Sequence, residues 1–360
     1  MLSTPLTVPA DIYAKFIDLE WQQRNRLLAG AQAAMKTGQP SQWSRLTGDA
    51  IVARNRYMNV EPFAENRVKL DVGEGVNDYI NASPIQLGER RYIATQGPKN
   101  TNLNHFYRMV NAEVRGTAVV VMLTQTHESG REKCFQYYPL SPEESPLQIP
   151  IDPESGDGFH GIVELVSTED DHATRTQIRH LRLRTEIEDE NEDSTQSPQE
   201  KDIYHLLFSG WPDFLVPEGE DRAALTRLIQ LSAKLNSAPS TSPAAAAAAS
   251  AQPNGTAASD FANSNQDNPR IIHCSAGVGR SGTFIALDYL LSLLYSGQLD
   301  DIPADKDPIV DTVDLLRQQR MMMVQSEGQY HFVYEALKEA FLERANSSNG
   351  DAICGAEKRS

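Results

Sequence analysis

Apolar residues recur at helical spacing early in the chain: Ile12, Phe16 and Leu19, then Leu27 and Leu28, behind the start signal Pro9-Ala10-Asp11. Residues 9–35 are therefore expected to form one or two helices. The pattern changes at 117–123, a continuous β-branched and apolar run that suits a strand buried on both faces. Residues 140–172 are rich in Pro, Gly and acids, which predicts loops around one short strand at 162–166. Residues 177–183 alternate polar and apolar, and 203–208 reads as a further strand. Leu225, Leu228, Ile229 and Leu235 share one helical face. The β-branched pair Ile271-Ile272 then enters a glycine-containing loop, and Phe284, Leu287, Leu290, Leu291 and Leu294 follow as an apolar helix. Val310, Val313 and Leu316 mark another helix ending near Arg320. Ser326-Glu327-Gly328-Gln329 has capping-box spacing before a helix with Phe332, Val333, Leu337 and Phe341. Strands interleaved with helices place the chain in the α/β class.

Three stretches break this periodicity. Residues 185–202 hold an acidic run (Glu186, Glu188, Asp189, Glu190, Glu192, Asp193), too charged to bury and expected as an exposed loop. Residues 237–268 collapse into alanines flanked by Ser, Pro, Asn and Gly, with nothing periodic to bury, and are expected as a disordered insertion. Such length costs little closure entropy. Residues 346–360 read as a disordered tail, with Cys354 given no role. The remainder, 9–345, forms one large domain.

Composition narrows the picture. With 360 residues and 40% hydrophobic residues the chain can bury a sizeable core. No apolar run reaches the roughly 18 residues that span a bilayer, and neither a signal segment nor a lipidation box is read at the ends. Three cysteines make no even disulfide set, which suits a reducing compartment, cytoplasm or nucleus. A net charge of -16 argues against nonspecific nucleic-acid binding. No metal site with ligand spacing is found, and no cofactor is expected.

The chemistry concentrates in His273-Cys274-Ser275-Ala276-Gly277-Val278-Gly279-Arg280-Ser281-Gly282-Thr283-Phe284. A strand, a loop and a helix N-terminus make an anion site, because the backbone amides from Ser275 to Arg280 have no helical acceptor and the helix dipole favours negative charge. Cys274 in that field has its pKa drawn from about 8.5 toward roughly 3.5–7.5. Arg280 adds a planar fork for two phosphate oxygens. A nucleophile aimed at a bound phosphoryl group results.

The stretch resembles the signature loop of the cysteine-dependent protein tyrosine phosphatases, of the non-receptor, tyrosine-specific and fungal kind. The resemblance extends to Arg54-Asn55-Arg56-Tyr57-Met58-Asn59-Val60, to Asp78–Ser83 and Tyr92–Pro98 as framework strands and turns, to Glu128–Cys134, to Ser209–Pro217 and to Gln325. It implies a single domain with a central, highly twisted mixed sheet flanked by helices. It further implies that Tyr57 walls a deep aromatic slot, that Asn59 meets the substrate backbone, and that Ser275, Ala276, Gly277, Val278 and Gly279 cradle phosphate. Glu128 would hold the Arg280 fork, and Lys133 would position a hinged loop bearing Trp211 and Asp213. Asp213 would be the general acid, its pKa raised by apolar neighbours. Gln325 would direct the hydrolytic water with help from Gln329, which is also a helix cap. Ser281 would donate to Cys274, and His273 would orient the loop. Cys134 is expected in the core.

Two positions depart from the family. Asn59 stands where the family carries an acid, and Leu215 where it usually has glycine, so peptide docking and loop closure are expected to differ. The resemblance implies phosphotyrosine-containing proteins as partners, phosphorylated kinases among them, for a monomer without membrane insertion. A phosphoinositide or dual-specificity phosphatase and a phosphotyrosine-binding pseudophosphatase stand as alternatives.

Overall fold

The computed structural model describes residues 9–37, 41–187, 198–213, 215–237, 257–303 and 305–357. With strands numbered in chain order, a mixed sheet runs from edge to edge as β1 (Ala82–Leu87), β2 (Arg90–Thr95), β10 (Arg270–His273), β3 (Ala118–Met122), β9 (Gln199–Phe208), β8 (Thr176–Ile187), β7 (Phe159–Asp171) and β6 (Leu147–Ile149). β2, β10, β3 and β9 are mutually parallel, and the outer pairings are antiparallel. Hairpin β4 (His127–Glu128) and β5 (Arg131–Glu132) stands apart.

The apolar runs sit where both faces are covered. In β3, Val119 and Val121 join one core while Ala118, Val120 and Met122 join the other; in β10, Ile272 and Ile271 divide in the same way. The first core is closed by α1 (Pro9–Thr37), α4 (Glu220–Ser237), α5 (Ala257–Ala262), α6 (Gly279–Tyr295), α7 (Pro308–Gln319) and α8 (Glu327–Glu357). The second is closed by α3 (Leu103–Glu113). Helix α2 (Asp49–Arg54) precedes the Tyr57 loop. Asp307 caps α7 by accepting from Ile309 and Val310, with Pro308 in the first turn. Ser326 and Gln329 form the capping box of α8: Gln329 N–H donates to Ser326 Oγ at 3.2 Å and Ser326 N–H to Gln329 Oε1 at 3.3 Å.

Several boundaries move. β7, β8 and β9 are longer than 162–166, 177–183 and 203–208, because their outer halves expose a charged face that hides the alternation. Arg184 lies between Glu164 at 3.2 Å and Glu200 at 2.7 Å across neighbouring strands. This ladder also corrects the exposed loop expected at 185–202, since β8 continues to Ile187 and β9 begins at Gln199; the acids 188–193 lie outside the described residues. The insertion expected at 237–268 is corrected at its end. Phe261 is buried in the first core beneath the Arg90 guanidinium, 4.7 Å from its ring centre, and buried Gln266 donates to the Ala233 carbonyl at 3.0 Å. Residues 238–256 lie outside the described residues. Helix α8 runs on to Glu357, correcting the tail expected from 346.

Candidate active site

The carboxyl ends of the parallel strands converge, as ligand sites in α/β sheets do. β10 delivers Cys274, β3 leads through Leu123 to Glu128, and β9 leads to Trp211 and Asp213. A cavity of about 350 Å³ opens there, lined by Tyr57, Asn59, Val60, Glu128, Lys133, Asp213, Cys274, Ser275, Ala276, Gly279, Arg280, Gln325 and Gln329. The larger groove, about 1140 Å³ and lined by residues such as Arg91, Arg115, Asn236 and Gln319, holds none of these.

The loop after β10 is held from behind. Gly277 takes φ +71°, and a Cβ on it would stand 2.1 Å from the Thr95 carbonyl oxygen, so no other residue fits without displacing backbone. Buried Arg320 donates to the carbonyls of Gly277 at 2.8 Å and Ala276 at 3.1 Å, and also to Asn81 and Ser83. Turning those carbonyls backward leaves the amide side of the loop toward the cavity. Helix α6 starts at Gly279, directly behind Val278, so its first amides lack intrahelical acceptors and face an incoming anion.

Cys274 is 5% exposed, with its Sγ accepting the Gly277 N–H at 3.3 Å. Burial alone would raise its pKa; the Ser281 hydroxyl, the Arg280 charge and the amides of Ser281 and Gly277 outweigh burial and lower it. Ser281 Oγ is buried and meets hydrogen-bond geometry to no group among the described residues, so its effect on the sulfur is that of a nearby dipole. Cys134 is also buried, but there burial pushes the thiol well up, which leaves it inert. His273 is buried without charge: burial takes its pKa down to about 4, Tyr137 Oη lies 2.7 Å from Nε2, and Nδ1 lies 3.1 Å from the Cys274 carbonyl. That carbonyl can only accept, so Nδ1 carries the proton and Tyr137 donates to Nε2.

Arg280 is oriented by Glu128, whose two oxygens take Nη1 at 2.6 Å and Nη2 at 2.9 Å, and by the Leu123 carbonyl at 3.0 Å. Glu128 is itself fixed by Thr124 Oγ1 and the Gln125 amide. It sits on hairpin β4–β5, whose turn residues Ser129 and Gly130 both take positive φ, as a two-residue hairpin with this twist demands. The same turn aims Ser129 Oγ at Asp213 Oδ2, 2.7 Å away.

Asp213 departs from the sequence-based expectation of a raised pKa. Burial acts upward, but the hydrogen bond from Ser129 and the charge of Lys133, 3.5 Å away, turn the shift downward; Arg280 Nη2 is also 3.5 Å away. Its loop is pinned by buried Trp211, whose Nε1–H donates to the Leu215 carbonyl at 3.0 Å. Leu215 is 65% exposed.

Tyr57 Oη lies 2.8 Å from Ser275 Oγ, which donates to the Lys133 carbonyl at 2.9 Å, so the tyrosine hydroxyl is the donor. That bond stands the ring upright at the cavity wall, 37% exposed. Behind it, Gln96 Oε1 accepts the Arg56 amide at 2.8 Å and Arg56 donates to the Gly97 and Pro98 carbonyls. Gln325 and Gln329 close the opposite side; a Cβ on Gly279 would lie 3.3 Å from Gln325 Oε1 and 2.9 Å from the Gln329 amide. Gln329 Oε1 also accepts the Gln325 N–H at 3.0 Å, tying the two side chains' positions together.

All these expected residues meet in one place: Trp211, His273, Gly277, Val278 and Ser281 support it, and the others line the cavity. The sequence reading passed over Ser129, Tyr137 and Arg320. A lone arginine before the apolar turn 321–324 was the available signal for the last; the other two carry none.

This geometry agrees with the comparisons. Residues 52–339 match the family model described as protein-tyrosine phosphatase. The chain belongs to the protein tyrosine phosphatase family. It is 32% identical over 333 residues to tyrosine-protein phosphatase 2 of Schizosaccharomyces pombe, covering 91% of this chain and 39% of that protein. It is 31% identical over 352 residues to tyrosine-protein phosphatase 1 of Saccharomyces cerevisiae, covering 91% and 93%. The chain thus spans well under half of the first relative and nearly all of the second. Among solved structures, the catalytic domain of human protein tyrosine phosphatase non-receptor type 18 superposes with a TM-score of 0.65 at 24% identity, covering 92% of this chain and 96% of that one, which shows the fold. The same phosphatase in complex with HER2 phosphopeptides matches with a TM-score of 0.64 at 25% identity, covering 92% and 93%.

Proposed function

We propose that the chain, through a catalytic unit spanning 9–345, hydrolyses phosphotyrosine in proteins by way of a phosphocysteine. The observation carrying this reading is one cavity shared by a thiol of lowered pKa, a guanidinium braced by a carboxylate, and an aspartate. In the first step Cys274 Sγ attacks phosphorus, the bond from phosphorus to the tyrosine oxygen breaks, and Asp213 gives that oxygen its proton. In the second, a water oriented by Gln325 attacks phosphorus, the S–P electron pair returns to sulfur, and Asp213 takes the water's proton. Arg280 and the loop amides stabilise the equatorial oxygens in both.

The low pKa of Asp213 in the free protein fits this role through linkage. Lys133 and Arg280 hold it ionised, and a phosphate dianion bound in the loop offsets both cations. The acid then gains its proton as substrate arrives. The wall at Tyr57 supports an aromatic phosphoester over the shorter phosphoserine, and the neutral side chains Ser275, Ala276 and Val278 argue against a polyanionic lipid headgroup. Phosphotyrosine-bearing proteins, kinases among them, are the proposed partners of a monomer acting in cytoplasm and nucleus. The HER2 phosphopeptide complexes of the human phosphatase support a peptide substrate. No described helix is long and apolar enough to cross a membrane.

Hydrolysis of phosphotyrosine, phosphoserine and phosphoinositide substrates by the wild type and by Cys274→Ser tests the proposal. Turnover of phosphotyrosine alone, abolished by the serine variant, is expected. Activity retained in Cys274→Ser would exclude the thiolate, and phosphotyrosine binding without turnover by the wild type would indicate a binding module.

A further inference from the structure

The turn that carries Gln325 is held by a helix outside the matched family region. Between α7 and α8 the chain passes through Met321, Met322, Met323 and Val324, and two of these adopt left-handed backbone: Met322 at φ 61° and Val324 at φ 56°. A β-branched residue there is an outlier that persists only when its surroundings enforce it. The enforcing contacts come from outside the turn. Val324 N–H donates to the Val278 carbonyl at 3.2 Å, across the gap that Gly282 keeps open; a Cβ on Gly282 would stand 2.4 Å from Val324 N. Buried Arg317 donates to the carbonyls of Met323 at 3.0 Å and Val324 at 2.9 Å.

The rest comes from α1, all of which precedes the family match at 52–339. Gln23, 6% exposed, accepts the Met322 N–H through Oε1 at 2.6 Å. Glu20, one turn earlier, pairs with Arg317 Nη1 at 2.8 Å, and the ring of Phe16 lies under the same guanidinium, 5.5 Å from its centre. Phe16 also packs on Tyr330 at the start of α8. Helix α1 is anchored separately to α7, through Lys15 to Asp307 at 3.0 Å and Arg26 to Asp314 at 2.6 Å. The face of α1 bearing Phe16, Glu20 and Gln23 therefore meets the strained turn, while its other contacts only dock the helix.

We infer that Gln23, with Glu20 acting through Arg317, is a positioning residue for the second chemical step: it fixes the turn that aims Gln325 at the hydrolytic water. The inference rests on the two-step reading above. It places the effect after the tyrosine has left, since neither Gln23 nor the turn's left-handed residues line the cavity where thiol, acid and guanidinium act on the ester. A displaced Gln325 leaves phosphoryl transfer to sulfur intact and slows only hydrolysis of the phosphocysteine. Displacement of such a group by an ångström costs on the order of 100-fold at most, and partial release of the turn should cost roughly tenfold.

The test is pre-steady-state hydrolysis of p-nitrophenyl phosphate by the full chain, comparing wild type, Gln23→Leu, Gln23→Glu and Lys15→Met. Gln23→Leu is expected to lower kcat and KM together by roughly tenfold, with kcat/KM unchanged, a stoichiometric burst of nitrophenol and phosphocysteine recovered after acid quench. Gln23→Glu keeps an acceptor for the Met322 amide and should restore kcat. Lys15→Met loosens α1 from α7 without touching the turn and should leave the kcat-to-KM split at the wild-type value. If Gln23→Leu does not fold, Gln23→Asn, which retracts the acceptor yet stays polar, must give the same signature. An unchanged kcat, or kcat and kcat/KM falling together without a burst, would overturn the inference. An inactive wild type would instead refute the proposed function itself.

Discussion

Glu128 and Arg280 face each other fork to fork, with both carboxylate oxygens on the two terminal guanidinium nitrogens at 2.6 and 2.9 Å. The pair is nearly buried, each side chain about a tenth exposed, so the arginine reaches the cavity in one orientation only. Removing the carboxylate by Glu128→Ala should leave the guanidinium charge in place but free to swing. We expect kcat/KM to fall by about 100-fold, toward the upper end of the roughly 1.5–3 kcal/mol that a hydrogen bond to a charged group is worth. Arg280→Lys should cost more, because a point charge cannot hold two oxygens. Inhibition by inorganic phosphate and steady-state kinetics of both variants check this.

Asp213→Asn should lower kcat by roughly 10²- to 10⁴-fold, the usual worth of general acid–base catalysis. The loss should shrink as the leaving phenol becomes more acidic, since such a phenol departs without a proton. Phosphotyrosine peptides should still bind, giving a substrate trap. A loss independent of the leaving group would remove Asp213 from the acid role.

Acid should destabilise this protein through its buried histidines, since burial lowers the pKa of His105, His205 and His273 alike. His273 has its folded pKa lowered from 6.5 to about 4, so the neutral form belongs to the native state. Below pH 6.5 the unfolded chain takes up a proton that the fold refuses, and stability declines from there until pH 4, where the folded protein also protonates. The integrated loss is on the order of 3 kcal/mol. Urea unfolding at pH 7 and pH 4.5 measures it, and His273→Gln should make this part of the profile shallower while the contributions of His205 and His105 persist.

Gly277→Ala should abolish turnover and cost roughly 2 kcal/mol or more, since the added methyl meets the Thr95 carbonyl at a positive φ. Gly130→Ala, where nothing stands near the added atom but φ is +71°, should cost less and spare the phosphate loop. Thermal melts and phosphate binding separate the two.

Phe261→Ala should destabilise the protein by about 3–5 kcal/mol, as expected for a buried phenylalanine, although it falls in a stretch whose composition reads as disordered. Its ring covers Arg90, which with Arg270 surrounds the buried carboxylate of Asp288. Chemical denaturation of the variant decides this.

What the sequence made legible follows a physical division. Cys274, Arg280 and the strand–loop–helix around them are local, so spacing alone exposes them. The central strands were equally plain, because residues buried on both faces leave an unbroken apolar run. Interactions between distant segments were not legible. The lowered pKa of Asp213 depends on Ser129 and Lys133, which a hairpin brings across from another strand end, and neighbouring residues in the sequence suggested the opposite sign. Phe261 was hidden because one buried ring amid small polar residues carries no period. The outer halves of β7 to β9 were hidden because cross-strand ion pairs look like a solvated charge run.

Strand β10 is the last to leave the ribosome and yet lies between β2 and β3, which precede it by some 150 residues or more. Until it inserts, the parallel region of the sheet has a vacant slot and must stay open along both edges, a non-local closure of the kind that folds slowly. The lowered thiol pKa depends on that insertion, since Arg280, Ser281 and the loop amides surround sulfur only once β10 is seated. A nascent or misfolded chain therefore carries an ordinary thiol. Reactivity appears in the same event that completes the fold, which spares a growing polypeptide the oxidation to which an exposed thiolate is prone.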